Sequence, residues 1–448
     1  MILTAQWVLP IEREAISNGA VVVEDGYIEA VGHKDEIVDN YPEEEVKDLG
    51  SAIILPGMVN IHTHLDYTAL RGENDNLPFL PWIGNLVHKS RALTQDEVLL
   101  SAKLGALELL ASGVTAVGDT TATGASLQAA VWSGLRGVVY QEVFGMDDEK
   151  IDETLSDLEE NFRNLKEDSN SRLSVGLSPH APYSVSRWLL KEISSWAEQE
   201  GIPLSMHLAE TEEELSFLKE GTGPFATTYR QAVGWEDIPW QEPGLSPVEY
   251  LADLDILTEN LLLVHLVQTE REEFDLLQQF DVKVAHCPKS NAKLGTGIAD
   301  LSAMLDSDLT VGLGTDSAAS NNSLDLFSEM EFGVLLQRAN QKKADAVTAE
   351  EIVRLATIKG AEALGLDEEI GSLKPGKKAD LTAVRIDNPA NQPVYDPYSA
   401  LVYTASSRDV ILTMIAGEEV YEAGEFKNII VDDVVAKIDW ITDKVDKL

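Results

Sequence analysis

Eight histidines occur in this 448-residue chain, and six stand in or at the ends of runs that read as β-strands: His62, His64, His180, His207, His265 and His286. Asp316 ends another such run. In His62-Thr63-His64 the imidazoles are two residues apart, and alternate residues of a strand share one face. Both rings can therefore reach one metal ion. A His-x-His pair alone is a weak signal. Preceded by Pro56-Gly57-Met58-Val59-Asn60 and joined by His207 and Asp316, it becomes a strong one. Three imidazoles and a carboxylate suit Zn²⁺ or Fe²⁺, with a position left for water.

Such a constellation needs elements that bring distant residues together. Between Met58 and Ser317 the chain alternates apolar strand runs with helical runs. The strand runs are Met58–His64, Val114–Thr120, Gly137–Phe144, Leu173–His180, Pro203–Glu210, Leu261–Thr269, Asp281–Pro288 and Thr310–Ser317. They are almost continuously apolar, as strands buried on both faces should be. Eight strand–helix alternations imply an α/β fold, a (β/α)8 TIM-type barrel, whose C-terminal strand ends converge on the active site. Histidines placed only for packing would not favour one end of each strand. One intervening helix runs from Thr94 to about Ala111, with Thr94 and Glu97 spaced as a capping box and Gly113 as the stop. The stretch from Thr222 to Pro247, with Phe225, Tyr229, Trp235 and Trp240, reads as a long loop whose aromatics wall the barrel mouth.

Both chain ends read as β-structure. Ala20–Val23 and Tyr27–Val31 flank Glu24-Asp25-Gly26, a strong hairpin signal. Ala379–Val384 and Val410–Ile415 are further strand runs with glycine-bearing turns nearby. The expected organisation is a small β-sandwich domain formed from both termini. Residues 1–55 supply its first part and residues 366–448 its second part with a C-terminal helix; residues 56–365 form the barrel.

Asp and Glu number 77 against 34 Lys and Arg, a formal net charge of −43. A surface this acidic repels phosphate backbones and anionic lipid, so the expected partner is a small molecule rather than nucleic acid or membrane. The acids are spread along the chain and read as a salt-adapted, solvated surface. Cys287 is the one cysteine, which excludes an intrachain disulfide and fits a reducing cytoplasm. The segment from Met1 lacks the basic start and long apolar run of a signal peptide. The sequence leaves room for a homo-oligomer.

The motifs resemble those of the amidohydrolase superfamily, in its deaminase/chlorohydrolase branch. They are Pro56-Gly57-Met58-Val59-Asn60-Ile61-His62-Thr63-His64, Leu70-Arg71-Gly72, Ser205-Met206-His207-Leu208-Ala209-Glu210-Thr211, His286-Cys287-Pro288-Lys289-Ser290-Asn291 and Gly314-Thr315-Asp316-Ser317 with the residues that follow. The resemblance implies one divalent metal ion, zinc first and iron as the alternative, held by His62, His64, His207 and Asp316. It implies Glu210 as proton shuttle, His265 as the group that orients the hydrolytic water, and Asp316 as the acceptor of that water's proton. Relatives with two metals carry a Lys or Glu at the end of the fourth strand. Here that end reads Leu177-Ser178-Pro179-His180, so one metal is expected, and His180 resembles a substrate-contacting residue.

The implied activity is hydrolytic deamination of an aminated N-heterocycle. An adenosine derivative of the methylthioadenosine, S-adenosylhomocysteine or aminodeoxyfutalosine type is the leading substrate. A triazine-type chlorohydrolase or aminohydrolase is the alternative, and a catalytically inactive scaffold is the third reading. One departure bears on substrate choice. Nucleoside-deaminase relatives carry a ribose-gripping Glu some two turns beyond the tryptophan matching Trp82, but here the region reads Leu86-Val87-His88-Lys89-Ser90-Arg91. Lys89 or Arg91 could instead meet a substrate carboxylate. Trp82 reads as pocket wall or as core, and Asp66 and His286 as groups behind the ligands. Cys287 reads as a small packed residue, and His33 and His88 as surface residues. Glu212, Glu213 and Glu214 read as a solvated helix face.

Overall fold

The computed structural model describes residues 1–427 and 429–448. Eight strands form one parallel sheet in sequential order: Met58–Thr63, Val114–Thr121, Arg136–Val143, Leu173–Pro179, Leu204–Leu208, Leu261–His265, Lys283–His286 and Thr310–Leu313. All eight expected strands are present. Their residues are nearly all buried because helices cover the outside while side chains fill the inside. The last strand returns to the first at the end that carries the histidines. There Asp316 N donates to His62 O at 3.0 Å and Thr315 N donates to Asn60 Oδ1 at 3.1 Å.

Several observed strands stop short of the expected ends. His64, His180, Glu210 and Asp316 lie just past the last paired residue of their strands. At the fifth, sixth and eighth strands the backbone explains why: Ala209, His265, Leu266 and Asp316 have φ of 52°, 79°, 48° and 55°. Left-handed backbone at non-glycine residues is costly and ends the pleat, and such strain gathers at functional sites. An apolar pattern cannot report it.

The second layer is a mixed sheet built from both chain ends. Its strand path starts at Glu425–Phe426 and runs through Glu418–Glu422, Val410–Ile415, Leu381–Arg385, Ala52–Pro56, Ile2–Val8 and Ile16–Glu24 to Tyr27–His33. The hairpin turns at Asp25 and Gly26, with φ of 50° and 82°, as a tight primed turn requires. Ala52–Pro56 belongs to this sheet and Met58–Thr63 to the barrel. Gly57 joins them, and a Cβ there would meet Thr115 Oγ1 at 2.1 Å, so the two layers approach too closely for a side chain. Arg136, at the base of the third barrel strand, adds a buried ion pair: Nε donates to Asp380 Oδ2 at 3.0 Å and Nη1 to Glu369 Oε2 at 3.0 Å. No described helix is long and apolar enough to cross a membrane.

The helix Gln95–Ala111 carries the expected capping box, Thr94 with Glu97. Glu97 also accepts from Lys444 of the C-terminal helix Asp432–Val445, at 2.7 and 2.9 Å. That helix is thereby tied to the barrel. The loop after the fifth strand is only partly irregular. Thr211 caps the helix Glu212–Glu220, and Pro224–Ala226 and Thr228–Ala232 are short helical turns.

Candidate active site

Three elements deliver the four residues expected to hold a metal. The first strand and the residue after it supply His62 and His64, the fifth strand His207, and the turn after the eighth Asp316. The ring of His62 lies 4.9 Å from that of His64 and 5.0 Å from that of His207, centre to centre. Asp316 Oδ1 is 3.6 Å from His62 Nε2 and 3.7 Å from His64 Nε2. His64 Nε2 and His207 Nε2 face each other at 3.3 Å. His207 Nδ1 is 3.1 Å from the carbonyl oxygen of His180, so Nδ1 carries the hydrogen and Nε2 presents its lone pair. His62 Nε2 is buried with no hydrogen-bond partner among the described residues.

Burial disfavours the charged form of two of these imidazoles, His64 and His207. It lowers His64 to about 3, reinforced by the charge of His62, and holds His207 well below the usual histidine range. Burial alone would raise the Asp316 carboxyl. The neighbouring His62, with His64 and His265, outweighs that and holds it well below the usual range. Its other oxygen is fixed by Ser290 Oγ at 2.5 Å and Ser320 Oγ at 2.7 Å. Three imidazoles, one carboxyl held low and an unpartnered Nε2 fit a divalent metal such as zinc or iron.

Glu210 and His265 face each other beside this cluster, Oε1 to Nε2 at 3.7 Å. His265 Nδ1 donates to Asn291 Oδ1 at 2.8 Å, which leaves Nε2 as the acceptor. Burial, then the nearby Asp316 and Glu214 charges, push the Glu210 carboxyl well above its ordinary value. A bound cation would pull it part of the way back.

The turn carrying Glu210 is held by a residue that the sequence reading put in solvent. Glu212 is exposed, but Glu214 is fully buried. Its two oxygens accept from the N–H groups of Ala209 and Glu210, each at 3.0 Å. The expected solvated face is therefore corrected at Glu214. The left-handed φ at Ala209 turns those two N–H groups inward, and they need an acceptor.

A narrow cavity of ≈ 90 Å³ lies over the cluster, with His64, His180, Glu210, His265 and Asp316 in its wall. Trp82 is both wall and core: it lines this cavity and is 5% exposed. The cavity shares Tyr67, Val87, Phe144 and Tyr229 with an outer chamber of ≈ 510 Å³ that reaches Arg91 and Trp235. Of the four aromatics expected at the mouth, Tyr229 and Trp235 line it. Phe225 instead stacks on Tyr183 at 4.0 Å, and Trp240 stacks on Phe217 at 3.8 Å beneath the loop. Lys89 is engaged by Glu73, so of the two expected cations only Arg91 faces a chamber.

The supporting readings also find their places. Asp66 accepts from Thr121 and Thr123 behind the first strand, at 2.8 and 2.9 Å. His286 is buried with neither ring nitrogen partnered among the described residues, and Cys287 is packed in the barrel core. His33 and His88 are exposed. The residue that sequence reasoning missed is Glu142, in the third strand and in the cavity wall. Burial, then the Asp66 and Asp316 charges, raise it to about 8. Its signal was a carboxylate inside the run Arg136-Gly137-Val138-Val139-Tyr140-Gln141-Glu142-Val143, because strand interiors rarely bury one without purpose.

Comparison with known proteins gives a consistent result. The amidohydrolase family model matches residues 53–420. A 5-methylthioadenosine/S-adenosylhomocysteine deaminase of Nitratidesulfovibrio vulgaris is 36% identical over 95% of this chain and 92% of its own length. A 5'-deoxyadenosine deaminase of Methanosphaera stadtmanae is 32% identical over 94% of each chain. Among solved structures, an adenosine deaminase from Xanthomonas campestris with bound zinc superposes with a TM-score of 0.88 at 27% identity, covering 100% of this chain and 98% of its own.

Proposed function

The chain belongs to the amidohydrolase family, and from that premise we propose that it is a metal-dependent aminohydrolase releasing ammonia from an adenosine derivative. It is a hydrolase of carbon–nitrogen bonds other than peptide bonds, in line with the deaminases it resembles along most of its length. The observation that carries the reading is the convergence of His64, His207, Asp316, Glu210 and His265 in the wall of one cavity, with His62 clustered beside His64, His207 and Asp316.

A divalent metal held by His62, His64, His207 and Asp316, one ion per chain, would lower the pKa of a water toward neutrality and make it a nucleophile at pH 7. The protein's own groups then place the proton traffic. Asp316, held ionised, accepts a proton from the attacking water. His265, fixed by Asn291, keeps Nε2 toward the water and Glu210. Glu210 gives a proton to the ring nitrogen as the amine-bearing carbon is attacked, takes up the proton of the added hydroxyl as the carbonyl forms and passes it to the leaving amine; the proton on Asp316 then restores Glu210. The products are the ring carbonyl compound and ammonia. His180 and Trp82 contact the heterocycle from the cavity wall.

The outer chamber receives whatever extends from the ribose. Its aromatic wall and Arg91 suit an extension with an apolar body and an anionic end. The test is kcat/KM for ammonia release from methylthioadenosine, S-adenosylhomocysteine, aminodeoxyfutalosine, adenosine and an aminated triazine, in the wild type and in R91A. R91A should lose about tenfold or more on carboxylate-bearing substrates only. Best turnover on a small unsubstituted ring, or chloride rather than ammonia as the released group, would overturn the reading.

A further inference from the structure

Beside the first ligand set the cavity wall holds a second group of metal-ligating side chains. Glu142, His180 and His207 each bring a ligating atom within 4.8 Å of the others. They stand at or just past the ends of the third, fourth and fifth strands. His207 is already committed. Its Nδ1 hydrogen goes to the carbonyl oxygen of His180, and its Nε2 faces His64 in the first set. Glu142 and His180 belong to no part of that set. Glu142 is 8% exposed and lies on a barrel strand, and both residues line the narrow cavity. The negative charges of Asp66 and Asp316 reach Glu142, a field that favours a cation there.

The hydrogen bonds around His180 decide which of its nitrogens can ligate. Ser184 Oγ donates to the carbonyl oxygen of Ala181 at 3.1 Å, which uses its one hydrogen. The same oxygen must therefore accept from His180 Nδ1, at 2.7 Å. That leaves the ring's lone pair on Nε2. The ring is also held in place from the side, by Phe144 with ring centres 4.6 Å apart and by Tyr183 edge-on at 5.6 Å. An imidazole lone pair fixed beside a carboxylate suits zinc, whereas magnesium and calcium prefer oxygen ligands alone. Such a pair offers fewer protein ligands than the first set, and an ion in the first set repels a second one. Binding here is therefore the weaker of the two.

We infer that Glu142 and His180 form a second, weaker zinc site, and that zinc bound there shuts the cavity to substrate. This rests on the proposed metal-dependent reading and adds a regulation to it. The second ion takes no part in the deamination. The fourth strand ends in a histidine where a bridging Lys or Glu would be needed to join it to the first. It occupies His180, the residue that meets the heterocycle, inside a cavity of ≈ 90 Å³. Ion and substrate therefore exclude each other, so an enzyme fully active with its first equivalent is inhibited as zinc rises further.

The experiment titrates zinc by calorimetry into the metal-free wild type, E142Q and H180Q. Alongside, ammonia release from 5′-methylthioadenosine is measured as zinc or magnesium is added beyond the first equivalent. The wild type should bind a tight equivalent and then a second, weaker one. Both variants should keep the first and weaken the second by about tenfold or more, since losing a ligand costs at least as much as losing a group behind one. In the wild type excess zinc should raise KM and leave kcat unchanged, and magnesium at the same concentration should not. A wild type that takes up no second equivalent would overturn the inference. So would variants that bind it as tightly as the wild type, which would place it on surface carboxylates. A second equivalent that leaves KM unchanged, or inhibition by magnesium equal to that by zinc, would overturn it too. If E142Q does not fold, H180Q decides the binding arm by the same criterion. Calorimetry needs no substrate, so a wild type that deaminates no nucleoside, or binds no first equivalent, would instead sink the reading beneath.

Discussion

Asp316 and Glu210 are both buried carboxyls in one cavity, yet their surroundings drive them apart. Imidazoles and two serine hydroxyls hold the Asp316 carboxyl below the usual carboxylate range, while burial and neighbouring acids push that of Glu210 up. Two acids split in this way are what an acid–base pair requires. E210Q should therefore retain its metal and melting temperature but lose about 10²-fold or more in kcat, because the amide has the shape and cannot shuttle a proton. Turnover near wild type would remove Glu210 from the mechanism. At this scale the cluster was legible in the sequence, because His62, His64, His207, Glu210, His265 and Asp316 all stand in or at the ends of expected strands. What was not legible is burial within a charge run. Glu212, Glu213 and Glu214 look alike in sequence, and only the left-handed turn at Ala209 tells Glu214 from its neighbours.

Strands and helices set the distances among these groups, and their ends matter more than their middles. The runs identified eight barrel strands because each is apolar on both faces. The exact stops were hidden, since positive φ at non-glycine residues leaves no compositional mark. The end of the barrel opposite the site depends on different contacts. Arg136 is 4% exposed in its side chain and pairs with Asp380, which is 1% exposed, and with the more open Glu369. Removing one partner of a buried pair strands the other charge, so R136A should cost about 3–5 kcal/mol of stability. Because this pair lies at the base of the barrel, kcat/KM of the folded fraction should stay within about twofold of wild type. Thermal melting and initial rates check both halves. An unshifted melting temperature would show that the pair does not join barrel and sheet.

Across the whole molecule, the composite sheet was foreseeable from two β-rich ends, but its order was not. Leu381–Arg385 pairs with Ala52–Pro56 across more than 300 residues of chain, and no local pattern encodes such a partner. Net charge is the other global property. With −43 formal charges, self-repulsion opposes the compact state. Salt shortens the Debye length to about 3 Å at 1 M, so the melting temperature should rise between 0.1 and 2 M KCl. A melting temperature lowered or unchanged by KCl would contradict a salt-adapted surface. The central claim, that one metal ion makes this chain an aminohydrolase, is tested most directly by stripping the enzyme with a chelator and titrating zinc back. Ammonia release from 5′-methylthioadenosine is followed at each addition. The account predicts loss of release on stripping and full recovery at one equivalent per chain. Release that survives stripping, or recovery that needs two equivalents, would contradict it.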